Sequence, residues 1–192
     1  MYPRSVPKRK EPVHPPIFTI GHSTRPIDEF VELLRANGVR QLIDIRTIPK
    51  SRHNPQFNGD VLEKSLRAAR IQYLHLKELG GLRRAKLDSV NLGWRNASFR
   101  GYADYMQTPE FIEALEWAIG LAEIRPTALM CAEAVPWRCH RSLVADALLV
   151  RGIRALEIVS KAAPKEHKLT PFARVRGTKI TYPSDQPSLL PS

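Results

Sequence analysis

Five short apolar runs, each the length of one buried strand, alternate with stretches of helical spacing, and no other feature restricts the fold of this chain so strongly. IFTIGHS (17–23) reads as a strand that enters a loop at Gly21. A helix is expected from Pro26 at its first position, with Ser23 or Thr24 as cap and Asp28 and Glu29 in the first turn. Ile27, Phe30, Val31 and Leu34 keep the helical period, and Asn37-Gly38 stops it. VRQLIDIR (39–46) is the second strand, a helix spans about Gly59 to Arg70, and IQYLHL (71–76) is the third strand. Thr108-Pro109-Glu110 opens the next helix, TALMCAE is the fourth strand, Ser142 to Gly152 the following helix, and RALEIVS (154–160) the fifth strand. Such alternation predicts a single three-layer α/β domain: a mostly parallel sheet of about five strands, helices on both faces and right-handed crossovers.

A chain of 192 residues with a hydrophobic share of 43% can fill one core but hardly two. The expected domain therefore covers residues 17–160. Outside it lie a basic, Pro-rich segment 1–16 and a basic, Pro-containing segment 161–192, neither with core periodicity. Much of the formal charge of +11 sits in these two segments, which are expected to be flexible. They would hold nucleic acid weakly by charge, or merely keep the protein soluble. No apolar run is long enough to span a bilayer, and the basic N-terminus is not followed by the apolar stretch of a secretory signal. A cytoplasmic location without membrane contact is the expectation, and two cysteines suit a reducing compartment.

In open parallel sheets ligands bind beyond the carboxyl ends of the strands. Three polar segments leave strands at that end: GHSTR, DIRTIPKSRHNPQF and CAEAVPWRCHR. If their strands are neighbours, the segments converge on one rim. Neither a glycine-rich dinucleotide fingerprint nor a phosphate-binding P-loop occurs. The long connection after residue 76 mixes Trp94, Phe99, Tyr102 and Tyr105 with arginines, as a surface for single-stranded nucleic acid would, although such tyrosines more often fill core or rim.

The same segments carry a resemblance. GHS at 21–23, DIR at 44–46, PKSR through Phe57, LGG at 79–81, FRGYADYMQT at 99–108 and CAE through CHR at 131–141 follow one another in the order of the domain-of-unknown-function 488 family. The chain resembles that family over roughly residues 17–160. The resemblance implies an α/β fold and a shared polar site, and it implies no particular reaction or cofactor.

Four kinds of chemistry compete for the rim. Cys131, Glu133, Cys139 and His140 are all metal-ligand types, but their spacing departs from the compact pairs of common sites. Cys139, expected just before a helix start and beside Arg138 and Arg141, has the setting of an activated nucleophile, whereas Cys131 ends an apolar strand and is expected to be structural. Neither cysteine has the five-residue spacing to arginine that a phosphatase loop needs. The anion reading engages the most residues. A helix N-terminus, the forks of Arg46, Arg52 and Arg141, and the hydroxyls of Ser23 and Ser51 would hold a phosphorylated ligand, a nucleotide or a nucleic-acid end. His22, Asp44, Glu133 and His140 stand available for acid–base work, with Cys139 as a reserve nucleophile. The fourth reading is structural: Asp44 and Glu133 neutralise the arginines in an ion-pair cluster. The competing functional classes are a non-enzymatic nucleic-acid-binding accessory protein and a metal-dependent enzyme using the Cys, Glu and His of residues 131–140.

Overall fold

The computed structural model describes residues 14–184, so the basic N-terminal segment lies outside the described residues up to position 13. The expected α/β domain is there. Strands β1 (Ile17–Gly21), β2 (Gln41–Asp44), β3 (Gln72–His75), β4 (Thr127–Cys131) and β5 (Ala155–Ile158) pair in parallel, and β6 (Lys165–Glu166) adds an antiparallel edge, in the order β3-β2-β4-β1-β5-β6. Helices α1 (Ile27–Ala36) and α2 (Gly59–Ala68) bury Phe30, Leu33, Leu34, Leu62 and Leu66 on one face, against Ile20, Leu42, Ala128 and Met130. Helices α3 (Ala97–Tyr105), α4 (Pro109–Ile124) and α5 (Arg141–Leu149) cover the other, against Ile17, Ile43, Leu129 and Cys131. Successive residues of β4 thus serve opposite layers, as the period of two in a strand requires. No helix among the described residues is long and apolar enough to cross a membrane.

Three local expectations change. Pro26 is the cap residue of α1 rather than its first helical residue, and no side chain caps that helix. The missing N–H of proline costs nothing there, because the first-turn donors of a helix lack intrahelical partners anyway. The long connection after β3 is ordered around the buried Asp104, which accepts from Ser89 Oγ at 2.6 Å, Asn91 Nδ2 at 2.8 Å and Lys86 N at 2.9 Å. Its aromatics are packing residues: Tyr102 is buried and donates to the Leu79 carbonyl, and Trp94 meets Phe99, Phe172 and Tyr182. That removes the stacking surface suggested by its composition.

The third change concerns the C-terminal segment. Beyond residue 160 the chain returns to the core: β6 joins the sheet, and β7 (Arg174–Arg176) and β8 (Lys179–Thr181) form a hairpin that delivers Ile180 and Tyr182 into the α3–α5 layer, both buried. The fully buried Asp146 of α5 fastens it. Asp146 accepts from the Tyr182 hydroxyl at 2.8 Å, from His167 Nε2 at 2.8 Å and from Thr170 N at 3.1 Å. Sequence reading left this segment outside the domain because its apolar alternation is only two residues long, Ile180 and Tyr182, within a basic surround.

His167 makes the attachment pH-dependent. Burial alone would lower its pKa, but hydrogen bonds to Asp146 and Glu157 raise it to about 9. A folded-state pKa above the unfolded one gives stability that is complete below about pH 6.5 and is lost as the pH rises through 9. After allowance for solvent screening this amounts to about 2 kcal/mol, or roughly 5 °C in melting temperature. The Cys131 thiol, discussed below, titrates in the same window with the opposite sign. The expected observable is therefore the difference between wild type and His167→Gln, shrinking from pH 7 to pH 9.5. A constant difference would contradict the assignment.

Candidate functional site

Strands β2, β4 and β1 are neighbours with their ends level: Gly21 pairs with Cys131, and Asp44 with Met130. The three polar segments that follow therefore do converge. Gly21 permits this closeness, since a Cβ there would stand 1.9 Å from the Glu133 carbonyl oxygen. Between the segments lies a cavity of about 390 Å³, also lined by Gly81, Leu82, Phe99 and Tyr102. His22, Arg46, Ser51, Glu133, Cys139 and His140, all expected at the rim, line it. Ser23, Asp44, Arg52 and Arg141 do not.

Behind the β2 end lies a buried charge cluster. Arg46 donates through Nε to Asp44 at 2.9 Å, through Nη2 to the second Asp44 oxygen and to the Phe57 carbonyl at 2.8 Å, and through Nη1 to His22 Nε2 at 3.2 Å. Tyr73 donates to the same carboxylate at 2.9 Å. His22 stacks on Phe57 at 4.2 Å and donates from Nδ1 to the Ser23 carbonyl at 2.8 Å, which fixes its tautomer. Burial, with the nearby Arg46 charge, lowers the His22 pKa to about 4, so the ring is neutral at pH 7. Both its nitrogens are engaged. Here the ion-pair reading holds for Asp44.

It fails for Glu133, whose carboxylate is exposed, with the Val135 N–H at 3.4 Å and no arginine among the described residues paired to it. Its carbonyl is what meets Arg141. Arg141 does not line the cavity. It is buried, and its Nη1 donates to the Ile20 and Glu133 carbonyls and to Cys131 Sγ. Arg52 is exposed away from the cavity, and Ser23, at φ 49°, contributes its carbonyl to His22. Trp137 is exposed on a different surface, beside residues 165–172.

At the β4 end the two cysteines share one environment. Both are buried, both line the cavity, and their sulfurs lie 2.7 Å apart. Burial raises the Cys131 thiol, but the hydrogen bond from Cys139 and the Arg141 charge outweigh it and bring the pKa down to about 7. Cys139, sharing its proton with Cys131 and buried besides, is pushed well up. His140 donates from Nε2 to the Ile45 carbonyl at 3.3 Å, leaving Nδ1 as an acceptor 3.6 Å from Cys139 Sγ. Burial lowers its pKa to about 4 as well. Among the described residues no group of three or more His, Cys, Asp or Glu side chains is placed to hold a metal ion.

Two cations that sequence reading passed over line the cavity: Lys50 and Arg138, both exposed. Lys50 stands in the PKSR stretch beside the arginine chosen instead, and Arg138 in the loop beside Arg141. Sequence does not show which of two neighbouring cations is buried and which reaches the cavity.

An open, mostly parallel three-layer α/β sheet with its polar segments gathered at the strand ends defines the class of protein. Within that class, the model of the domain of unknown function DUF488 matches residues 26–148, and the chain belongs to that family. No curated protein and no solved structure matches it.

Proposed function

We propose that the strand-end cavity binds a small phosphorylated ligand with an aromatic or apolar body, a nucleotide being the chemistry that suits both halves. The observation behind this is the division of the cavity wall. Lys50, Ser51 and Arg138 supply charge and a hydroxyl, while Ile48, Leu82 and Phe99 supply an apolar surface, with Ile48 and Leu82 largely exposed. Two exposed long apolar side chains beside free-standing cations suit a ligand with a polar end and an apolar end. Arg46 adds a single donor: four of its five N–H groups are engaged, which leaves one on Nη1. Arg141 and Arg52 drop out of the anion-binding set, and Lys50 and Arg138 replace them. His140 lines the cavity, and its Nδ1, beside Cys139 Sγ, would be the group to take a proton from a bound ligand.

A melt in increasing inorganic phosphate and in adenosine monophosphate tests the reading. A ligand bound to the native state alone raises the melting temperature by mass action, by about 2.7 kcal/mol of stability at a hundred times its Kd. The nucleotide is expected to act at lower concentration than phosphate, and the double variant Lys50→Met/Arg138→Met to lose both responses. Arg52→Met is expected to keep them. Equal responses in all three proteins would mark general salt stabilisation and end the proposal.

A further inference from the structure

Arg141 is 2% exposed, yet none of its partners is a carboxylate. Nη1 donates to two carbonyls, those of Ile20 at 3.2 Å and Glu133 at 3.0 Å, and to Cys131 Sγ at 2.6 Å, while Nε has no partner. A guanidinium does not shed its proton in a protein, and a buried cation without a counter-charge is costly. The contacting group able to become an anion is the Cys131 thiol. Its thiolate would receive the guanidinium N–H and the Cys139 S–H together.

We propose that Cys131 and Cys139 form a dithiol–disulfide centre that reduces small organic hydroperoxides at the floor of the cavity, with Cys131 attacking, Cys139 resolving and Arg141 holding the attacking thiolate. This goes beyond the phosphorylated-ligand reading and does not rest on it, because Arg141 and Cys131 play no part there. In the first step Cys131 sulfur attacks the terminal peroxide oxygen. A sulfur–oxygen bond forms, the oxygen–oxygen bond breaks, and the alkoxide leaves and takes a proton from water to become the alcohol. In the second step Cys139 sulfur attacks the Cys131 sulfenic acid. The disulfide forms, hydroxide departs, and the Cys139 proton reaches it by way of His140 Nδ1, giving water. Two thiols lose two electrons and the peroxide gains them.

Three observations select the substrate class. The sulfurs are already 2.7 Å apart, so less than 1 Å of movement separates them from a bond. Both are buried and border the cavity, whose floor would have to admit a second thiol and a mixed disulfide if the oxidant were a disulfide. A hydroperoxide needs room for two oxygens there, and Ile48, Leu82 and Phe99 suit its organic remainder.

The test uses the full chain, reduced and then freed of reductant, with cumene hydroperoxide. One equivalent is expected to be consumed per chain, with both thiols lost, the intact mass lowered by two hydrogens, and full reversal by dithiothreitol. The rate should rise to a plateau with a midpoint near pH 7, the pKa to which Arg141 and Cys139 bring Cys131. At pH 6 it should exceed that of free cysteine roughly fivefold, the thiolate gain less the nucleophilicity lost with basicity. Cys139→Ser should stop at a sulfenic acid that dimedone traps, and Cys131→Ser should consume no peroxide. A midpoint above pH 8, disulfides only between chains, or faster reaction with oxidised glutathione than with the hydroperoxide would each overturn the proposal. All three use the wild-type protein, so a variant that fails to fold does not protect it.

Discussion

Truncation after residue 160 is expected to abolish the cooperative melt. It removes the buried Ile180 and Tyr182 from the layer they share with α3–α5, and cores lose about 2–5 kcal/mol for each large side chain taken out. It also strips Asp146, fully buried, of Tyr182, His167 and Thr170 together. A buried carboxylate left without partners costs about 3–5 kcal/mol more. The sum is comparable with the whole stability of an ordinary domain, about 5–15 kcal/mol. Circular dichroism against temperature is the measurement. Tyr182→Phe, which keeps the ring and removes one hydrogen bond, should lose only about 1–3 kcal/mol and still melt cooperatively. A truncated chain that melts like the full one would show that the domain ends at 160.

What sequence could and could not show follows from the range of the forces involved. Strand and helix alternation depends on neighbours along the chain, so β1 to β5 and the helices α1, α2, α4 and α5 were legible, whereas α3, within the long connection, and β7 and β8, with three residues each, were not. The meeting of GHSTR, DIRTIPKSRHNPQF and CAEAVPWRCHR depended on β2, β4 and β1 being adjacent, which right-handed crossovers allow without dictating. Residue roles were least legible. Arg46 and Arg141 are spelled like any ligand-binding arginine, but four of the five Arg46 N–H groups go to Asp44, Phe57 and His22, and Arg141 is buried with its Nη1 on Ile20, Glu133 and Cys131. A donor's occupancy is set by long-range packing. Lys50 and Arg138, which reach the cavity along with Arg46, carry no local mark of it in the sequence.

Asp44→Ala is expected to be the most damaging single substitution at the site. Asp44 is fully buried and is the only carboxylate paired with Arg46 among the described residues. Removing it leaves a guanidinium that is 6% exposed without counter-charge, at a cost of about 3–5 kcal/mol. It also leaves the Tyr73 hydroxyl without its acceptor and loosens the hold on His22 Nε2. Replacing both charges, as Asp44→Leu/Arg46→Met, should recover much of that loss, because neutral side chains of similar volume have no desolvation to repay. The comparison separates two uses of Arg46. If the arginine serves only the cluster, the double variant should keep the phosphate response of the wild type once it is folded. If its remaining Nη1 donor reaches the ligand, the double variant should melt close to wild type and yet respond to phosphate several-fold more weakly. The second outcome is expected, because Arg46 lines the cavity and Asp44 lies behind it. A single Asp44→Ala variant as stable as wild type would refute the buried pair itself.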